Sequence, residues 1–162
     1  MTELDDKIRD LSKIFAFQIM THTIIVEERL TNIICMSITN QRTNIEKFLD
    51  YFERGIGLDS KIELTKVILE CNHPTVLQKY PTIFTQIGQI KKWRNLLAHL
   101  NRHYEVDSSS SNAEFVLNHR KITKQERLTE KKMRAIMLMA EKCNSQMAEI
   151  EKLVAKEKGI MV

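Results

Sequence analysis

The sequence predicts an all-α fold, a bundle of four to five helices, and three observations carry that expectation. Apolar residues recur at intervals of three, four and seven along most of the chain, which is the stripe of an amphipathic helix. Two prolines and four glycines are too few for the many tight turns of a β-rich fold. A hydrophobic share of 43% over 162 residues is enough for a real core, in a length that suits one domain rather than two, so residues 1–162 are read as a single helical domain.

The elements follow in order. Residues 3–38 carry Leu4, Ile8, Leu11 and Phe15, then Val26, Leu30, Ile33 and Ser37, at helical spacing, with a polar interruption at Thr21 to Thr23. That is one long helix or two. A loop around Thr39 to Thr43 precedes a short helical pattern of Ile45, Phe48, Leu49 and Phe52, which the two glycines of RGIGLDS end. Asp59 or Ser60 is placed to cap the next helix, KIELTKVILE, by accepting a backbone N–H. Pro74 and Pro81 bracket a short connection, and Thr82 opens a helix in which Ile83, Ile87, Ile90 and Leu97 form the apolar line. After it, HYEV and EFVLN flank the polar cluster DSSSSN, so a short hairpin-like insertion is expected at about residues 105–121, with Asp107 to Asn112 as a mobile tip. A long C-terminal helix at about 123–158 is expected from Ile136, Met139, Cys143, Met147, Ile150 and Val154.

Charge and cysteine usage narrow the function classes. Residues 1–70 hold 9 Lys/Arg against 12 Asp/Glu, a net of −3, whereas residues 91–134 hold 11 against 5, a net of +6. Basic charge concentrated in one region suits a polyanionic partner, and equally a solvated face. The acidic start, MTELDDK, is unlike a signal peptide, and no apolar run reaches the roughly 18 residues of a membrane span, so no membrane partner and a cytoplasmic location are expected. Cys35, Cys71 and Cys143 are odd in number and widely separated, which suits buried free thiols better than disulfides or a zinc site.

The segment KKWRNLLAHL, residues 91–100, carries the chemistry. Arg94 falls one turn after Ile90 and one before Leu97, on the apolar line of its helix. A guanidinium there needs a partner, because desolvating it unpaired costs several kcal/mol or more. One partner is an inward carboxylate such as Glu63, Glu70 or Glu28, with His99 left to cap the last carbonyls of the helix. The other is a phosphodiester: arginine binds its oxygens through fork-like hydrogen bonds, and a histidine titrating near neutral pH moves a proton. Arg94 and His99 lie about 140° apart on a straight helix, while Lys92, Asn95 and His99 share a face. Convergence on one ligand therefore requires the helix to end or bend there, or a second copy to supply the complement.

Other motifs are weaker. His99 and His103 have the spacing of a zinc-binding HExxH, but Leu100 stands where the general base belongs. Cys71 and His73 form an isolated pair before Pro74, and RGIGLDS lacks the strand and the Lys-Ser/Thr of a phosphate loop. Neither a metal nor a cofactor is expected. Trp93 suits a base-stacking platform or a core position; Lys91, Lys92 and Arg102 suit an RNA-backbone groove or solvent.

The string RNLLAH at 94–99, on a late helix of an all-α chain and preceded by LDSKIELTKVIL, resembles the signature of the HEPN superfamily: an Arg, a polar residue, and a His four to six residues on. The resemblance covers about residues 25–155, with its specificity in those six residues. It implies a HEPN-like helical homodimer, with two copies of the motif at the subunit interface, and metal-independent endoribonuclease activity on single-stranded RNA. Arg94, Asn95 and His99 fill the motif positions and are the implied catalytic residues. It further implies a toxin or phage-defence role with an antitoxin or nucleotidyltransferase partner. The alternative is a non-catalytic module for dimerisation or for binding RNA or another partner.

Overall fold

The structure of the chain, a computed structural model, describes residues 3–39, 41–99, 101–107, 112–118 and 125–160. The fold is all-α, with six helices and one small antiparallel sheet among these residues: α1 (Glu3–Ile38), α2 (Arg42–Gly55), α3 (Leu58–Asn72), α4 (Pro74–Lys79), α5 (Ile83–His99), β1 (Asn101–Asp107), β2 (Asn112–Asn118), β3 (Gln125–Leu128) and α6 (Glu130–Glu157). No helix among them is long and apolar enough to cross a membrane.

The first segment is a single helix. Hydroxyl side chains along it bond the helix's own backbone and do not break it: Thr23 Oγ1 donates to the Ile19 carbonyl at 2.8 Å, and Thr31 Oγ1 to that of Glu27 at 2.9 Å. Ile8, Leu11, Phe15, Ile19, Val26, Leu30 and Ile33 are buried along it.

Three expectations are corrected. The bundle has six helices rather than four to five, because the segment after Pro74 folds as α4, with proline at the helix start, where its missing N–H is not needed. The cap of α3 is Gly57, and Asp59 lies in the first turn, where its charge faces the positive end of the helix. The expected hairpin is present as β1 and β2, and β3 adds a third strand to it, giving an antiparallel sheet in the order β1-β2-β3. The C-terminal helix starts at Glu130 instead of about 123, because Gln125–Leu128 pairs with β2. Leu128 lies opposite Phe115 in that register and both are buried, so the strand removes an apolar pair from water that a helical start would separate. Thr129 then accepts the Lys132 backbone N–H at its Oγ1, 3.3 Å, and opens α6. Of the expected mobile tip, Asp107 and Asn112 pair as the end of β1 and the start of β2, and Ser108 to Ser111 lie outside the described residues, as do residues 119–124.

The chain forms two compact units, one from the described residues of 1–23 and 88–141, the other from those of 24–87 and 142–162. Helices α1, α5 and α6 contribute residues to both. In the first unit Lys7 Nζ on α1 pairs with Glu130 Oε2 on α6 at 3.0 Å, and the buried residues include Ile90, Trp93, Leu97, Phe115, Val116, Leu117, Met133, Ile136 and Ala140. In the second, Ile34, Cys35 and Phe52 form a cluster against which Ile45, Phe48, Leu49, Ile56 and Ile68 pack. Arg29 Nη1 meets Glu151 Oε2 at 2.6 Å, and Lys158 Nζ donates to the Ser37 carbonyl at 3.2 Å, so α1 and α6 run parallel there.

Candidate functional site at the end of α5

The buried line of α5 is Ile83, Ile87, Ile90, Trp93 and Leu97. Trp93, not Arg94, is therefore the inward residue of the turn after Ile90; positions three and four residues on fit a helical stripe equally well, and the indole has the larger apolar surface to bury. Its ring meets Phe15 of α1 edge-on, with centroids 6.2 Å apart and planes at 75°. Trp93 is a core residue that pins the last turns of α5 in place.

That packing puts Arg94 and Asn95 beside the core rather than in it, and both are half-buried. Arg94 forms no ion pair with a carboxylate among the described residues. Instead Nη1 donates to Asn95 Oδ1 at 2.9 Å. Asn95 lies about 100° round the helix from Arg94, and His99 about 40° beyond Asn95. The bond draws the guanidinium toward the flank that Asn95 shares with His99. His99 is exposed and is the last residue of α5, so the helix ends where the sequence geometry required it to end or bend. Around this turn, a guanidinium with donors to spare, an amide and an imidazole face solvent: a set able to hold an anionic oxygen and exchange a proton.

The expected RNA-binding residues are distributed unequally. Lys91 is half-buried and Lys92 exposed. Lys92 Nζ stands 3.7 Å from Glu126 Oε1 of β3 and 5.4 Å from the centroid of the Trp93 ring. Lys132 of α6, one of the basic residues between Arg120 and Arg134 that the sequence offers to a phosphate backbone, approaches the same carboxylate at 3.8 Å and the same ring at 5.6 Å. Arg102 is on β1, opposite Leu117, and its side chain lies outside the described residues, as does that of His103.

Away from this site, the second unit contains an ion pair between a buried lysine and a half-buried glutamate that the sequence did not signal. Lys61 on α3 is 1% exposed and donates to Glu27 Oε1 on α1 at 2.8 Å, beside a cavity of about 300 Å³ lined by Ile24, Glu27, Glu28, Thr31 and Lys61. His73, also buried, is bonded through Nδ1 to Glu157. Among the described residues no group of three or more His, Cys, Asp or Glu side chains is arranged to hold a metal ion.

No family model matches the chain, and neither a curated protein nor a solved structure matches it.

Proposed function

We propose that this chain is a metal-independent endoribonuclease of the HEPN type, working as a homodimer on single-stranded RNA. The observation that carries the reading is Arg94: a half-buried residue whose guanidinium has no carboxylate partner among the described residues and is held by Asn95 toward the helix end where His99 is exposed. A guanidinium whose bonded partner is a neutral amide keeps its charge and its remaining donors available to a ligand oxygen.

In the reaction His99 accepts the proton of a ribose 2′-hydroxyl as the 2′-oxygen attacks the adjacent phosphorus. Arg94 binds the non-bridging oxygens as negative charge gathers on the phosphorane, and Asn95 orients Arg94. The bond from phosphorus to the 5′-oxygen breaks, and that oxygen takes a proton from the His99 imidazolium of the second copy. The products are a 2′,3′-cyclic phosphate and a 5′-hydroxyl. The test is incubation of the purified protein with mixed single-stranded RNA, with and without EDTA, and analysis of the product ends. Cutting that persists in EDTA and leaves cyclic phosphates supports the reading; EDTA-sensitive cutting, or 5′-phosphate products, contradicts it.

A second reading, a non-catalytic dimerisation or partner-binding module, draws on α1, where Ile14, Phe17 and Met20 recur every three residues with exposures of 51%, 72% and 39%. An apolar row of that kind suits a docked protein surface. An antitoxin or nucleotidyltransferase partner, and a toxin or phage-defence role, belong to either reading.

A further inference from the structure

Lys92 from α5 and Lys132 from α6 bring two ammonium groups to one indole, at 5.4 and 5.6 Å from the Trp93 centroid. Two like charges gathered on one ring repel each other unless an anion stands between them. Glu126 occupies that position, one carboxylate oxygen 3.7 Å from Lys92 Nζ and the other 3.8 Å from Lys132 Nζ. Both separations exceed hydrogen-bond range, so the carboxylate screens the lysines without satisfying them. Lys132 spends one donor on the Arg127 carbonyl at 3.3 Å, and the remaining N–H groups of both lysines have no acceptor among the described residues. One negative charge against two positive leaves the cluster cationic.

We propose that Lys92 and Lys132, both held near the Trp93 ring, form a binding subsite for an RNA backbone phosphate, and that Glu126 is its internal competitor, displaced when the phosphate binds. The inference rests on the ribonuclease reading, and names where the substrate backbone runs. Lys92 shares a helix face with Asn95 and His99 and precedes His99 by seven residues, about 10 Å along the axis. The phosphate held here is a neighbour of the scissile one. The subsite therefore contributes to binding and leaves the chemical step alone: its loss raises KM and not kcat. A backbone phosphodiester has one negative charge over two non-bridging oxygens, as the carboxylate does, but it is free to approach both ammonium groups, whereas Glu126 makes no hydrogen bond to either lysine.

The probe is a single-stranded RNA oligonucleotide with 2′-O-methyl riboses, which has no nucleophile and reports binding without cleavage. Affinity is measured against salt for the wild type, Lys132→Gln, Lys92→Gln and Glu126→Gln, with thermal unfolding of each. Each lysine variant is expected to fold and to bind more weakly, with a log–log salt slope shallower by about 0.7, the loss of one phosphate contact. Glu126→Gln is expected to bind several-fold more tightly than the wild type, the signature of a removed competitor. Unchanged binding in Lys132→Gln, or weaker binding in a folded Glu126→Gln, overturns the subsite. Cleavage of unmodified RNA, assayed in parallel, separates the two claims. A wild type that cuts while Lys132→Gln binds normally removes the subsite alone. Lysine-dependent binding without cutting keeps the subsite and removes the nuclease. No binding at all overturns both.

Discussion

Arg94 and Asn95 are adjacent in sequence and bonded through their side chains, Nη1 of the arginine donating to Oδ1 of the asparagine over 2.9 Å. Neighbours on a helix point about 100° apart, so this bond bends the arginine round the helix toward the flank on which His99 lies. Asn95 thereby acts on the position of a charge it does not itself carry.

Asn95→Ala is expected to free that guanidinium, lowering RNA cleavage by about tenfold, the effect of roughly 1.4 kcal/mol of lost positioning. Asn95→Asp gives the arginine a full carboxylate, which competes with the substrate phosphate and lowers cleavage further. Single-turnover rates at saturating RNA, beside melting curves, check both; an Asn95→Ala protein as active as the wild type removes the positioning role.

The buried Lys61 and its partner Glu27 make a prediction about stability. Glu27→Ala leaves an ammonium that is 2% exposed without its counter-ion, at a cost of about 3 kcal/mol. For a chain of this size that is a fall in Tm of roughly 6–12 °C. The double variant Glu27→Leu with Lys61→Met removes both charges and is expected to be more stable than Glu27→Ala. Calorimetry of the two variants checks the order; a double variant no more stable than the single shows that the pair stabilises the fold beyond mutual neutralisation.

Burial raises the Cys143 thiol from its ordinary 9.0 to about 12, so its reactive thiolate is scarce at any ordinary pH. Of the three cysteines Cys71 alone is exposed, and a thiol reagent at pH 8 is expected to label one sulfur in the native protein and three in denaturant. The same shift links pH to stability. Between about pH 9 and pH 12 the unfolded thiol ionises while the folded one does not, so Cys143 draws stability down as pH rises through that window. Cys143→Ala is expected to flatten this part of the stability curve while lowering stability overall through the cavity it leaves. Rapid native labelling of Cys143 contradicts the burial argument.

His22 makes the opposite linkage. Burial lowers its pKa below 6.5, against an opposing pull from Glu141. Below about pH 6.5 the unfolded imidazole takes a proton that the folded one resists, so this histidine withdraws stability as the solution is acidified. Denaturant midpoints of the wild type and His22→Gln at pH 7 and pH 5 check the sign: the wild type is expected to lose more between the two.

Much of the helical frame was legible in the sequence, because Ile83, Ile87, Ile90 and Leu97, or Cys143, Met147, Ile150 and Val154, occupy one face at one period and are buried as that period requires. Misreadings occurred where periodicity admits two answers. Trp93 and Arg94 each follow Ile90 at helical spacing, and a ring contact with Phe15, remote in sequence, decides between them. On α3 the inward residues are Lys61, Thr65 and Leu69, while Val67 is exposed, a choice settled by the distant Glu27 and invisible to local pattern. Gln125 to Leu128 consists of good helix formers and still pairs as a strand, since burying Leu128 opposite Phe115 outweighs intrinsic propensity. The motif residues were legible by type; the bond between two of them was not.

The central claim is that Arg94 and His99 perform chemistry and do not support the fold. Its most direct measurement is a cleavage assay on Arg94→Ala and His99→Ala with thermal unfolding and sedimentation of the same samples. Both variants are expected to lose RNA cleavage while stability stays within about 1 kcal/mol of the wild type, as for surface positions without a buried partner, and the assembly state is kept. An Arg94→Ala protein that unfolds, or a His99→Ala protein that still cuts RNA, contradicts the claim.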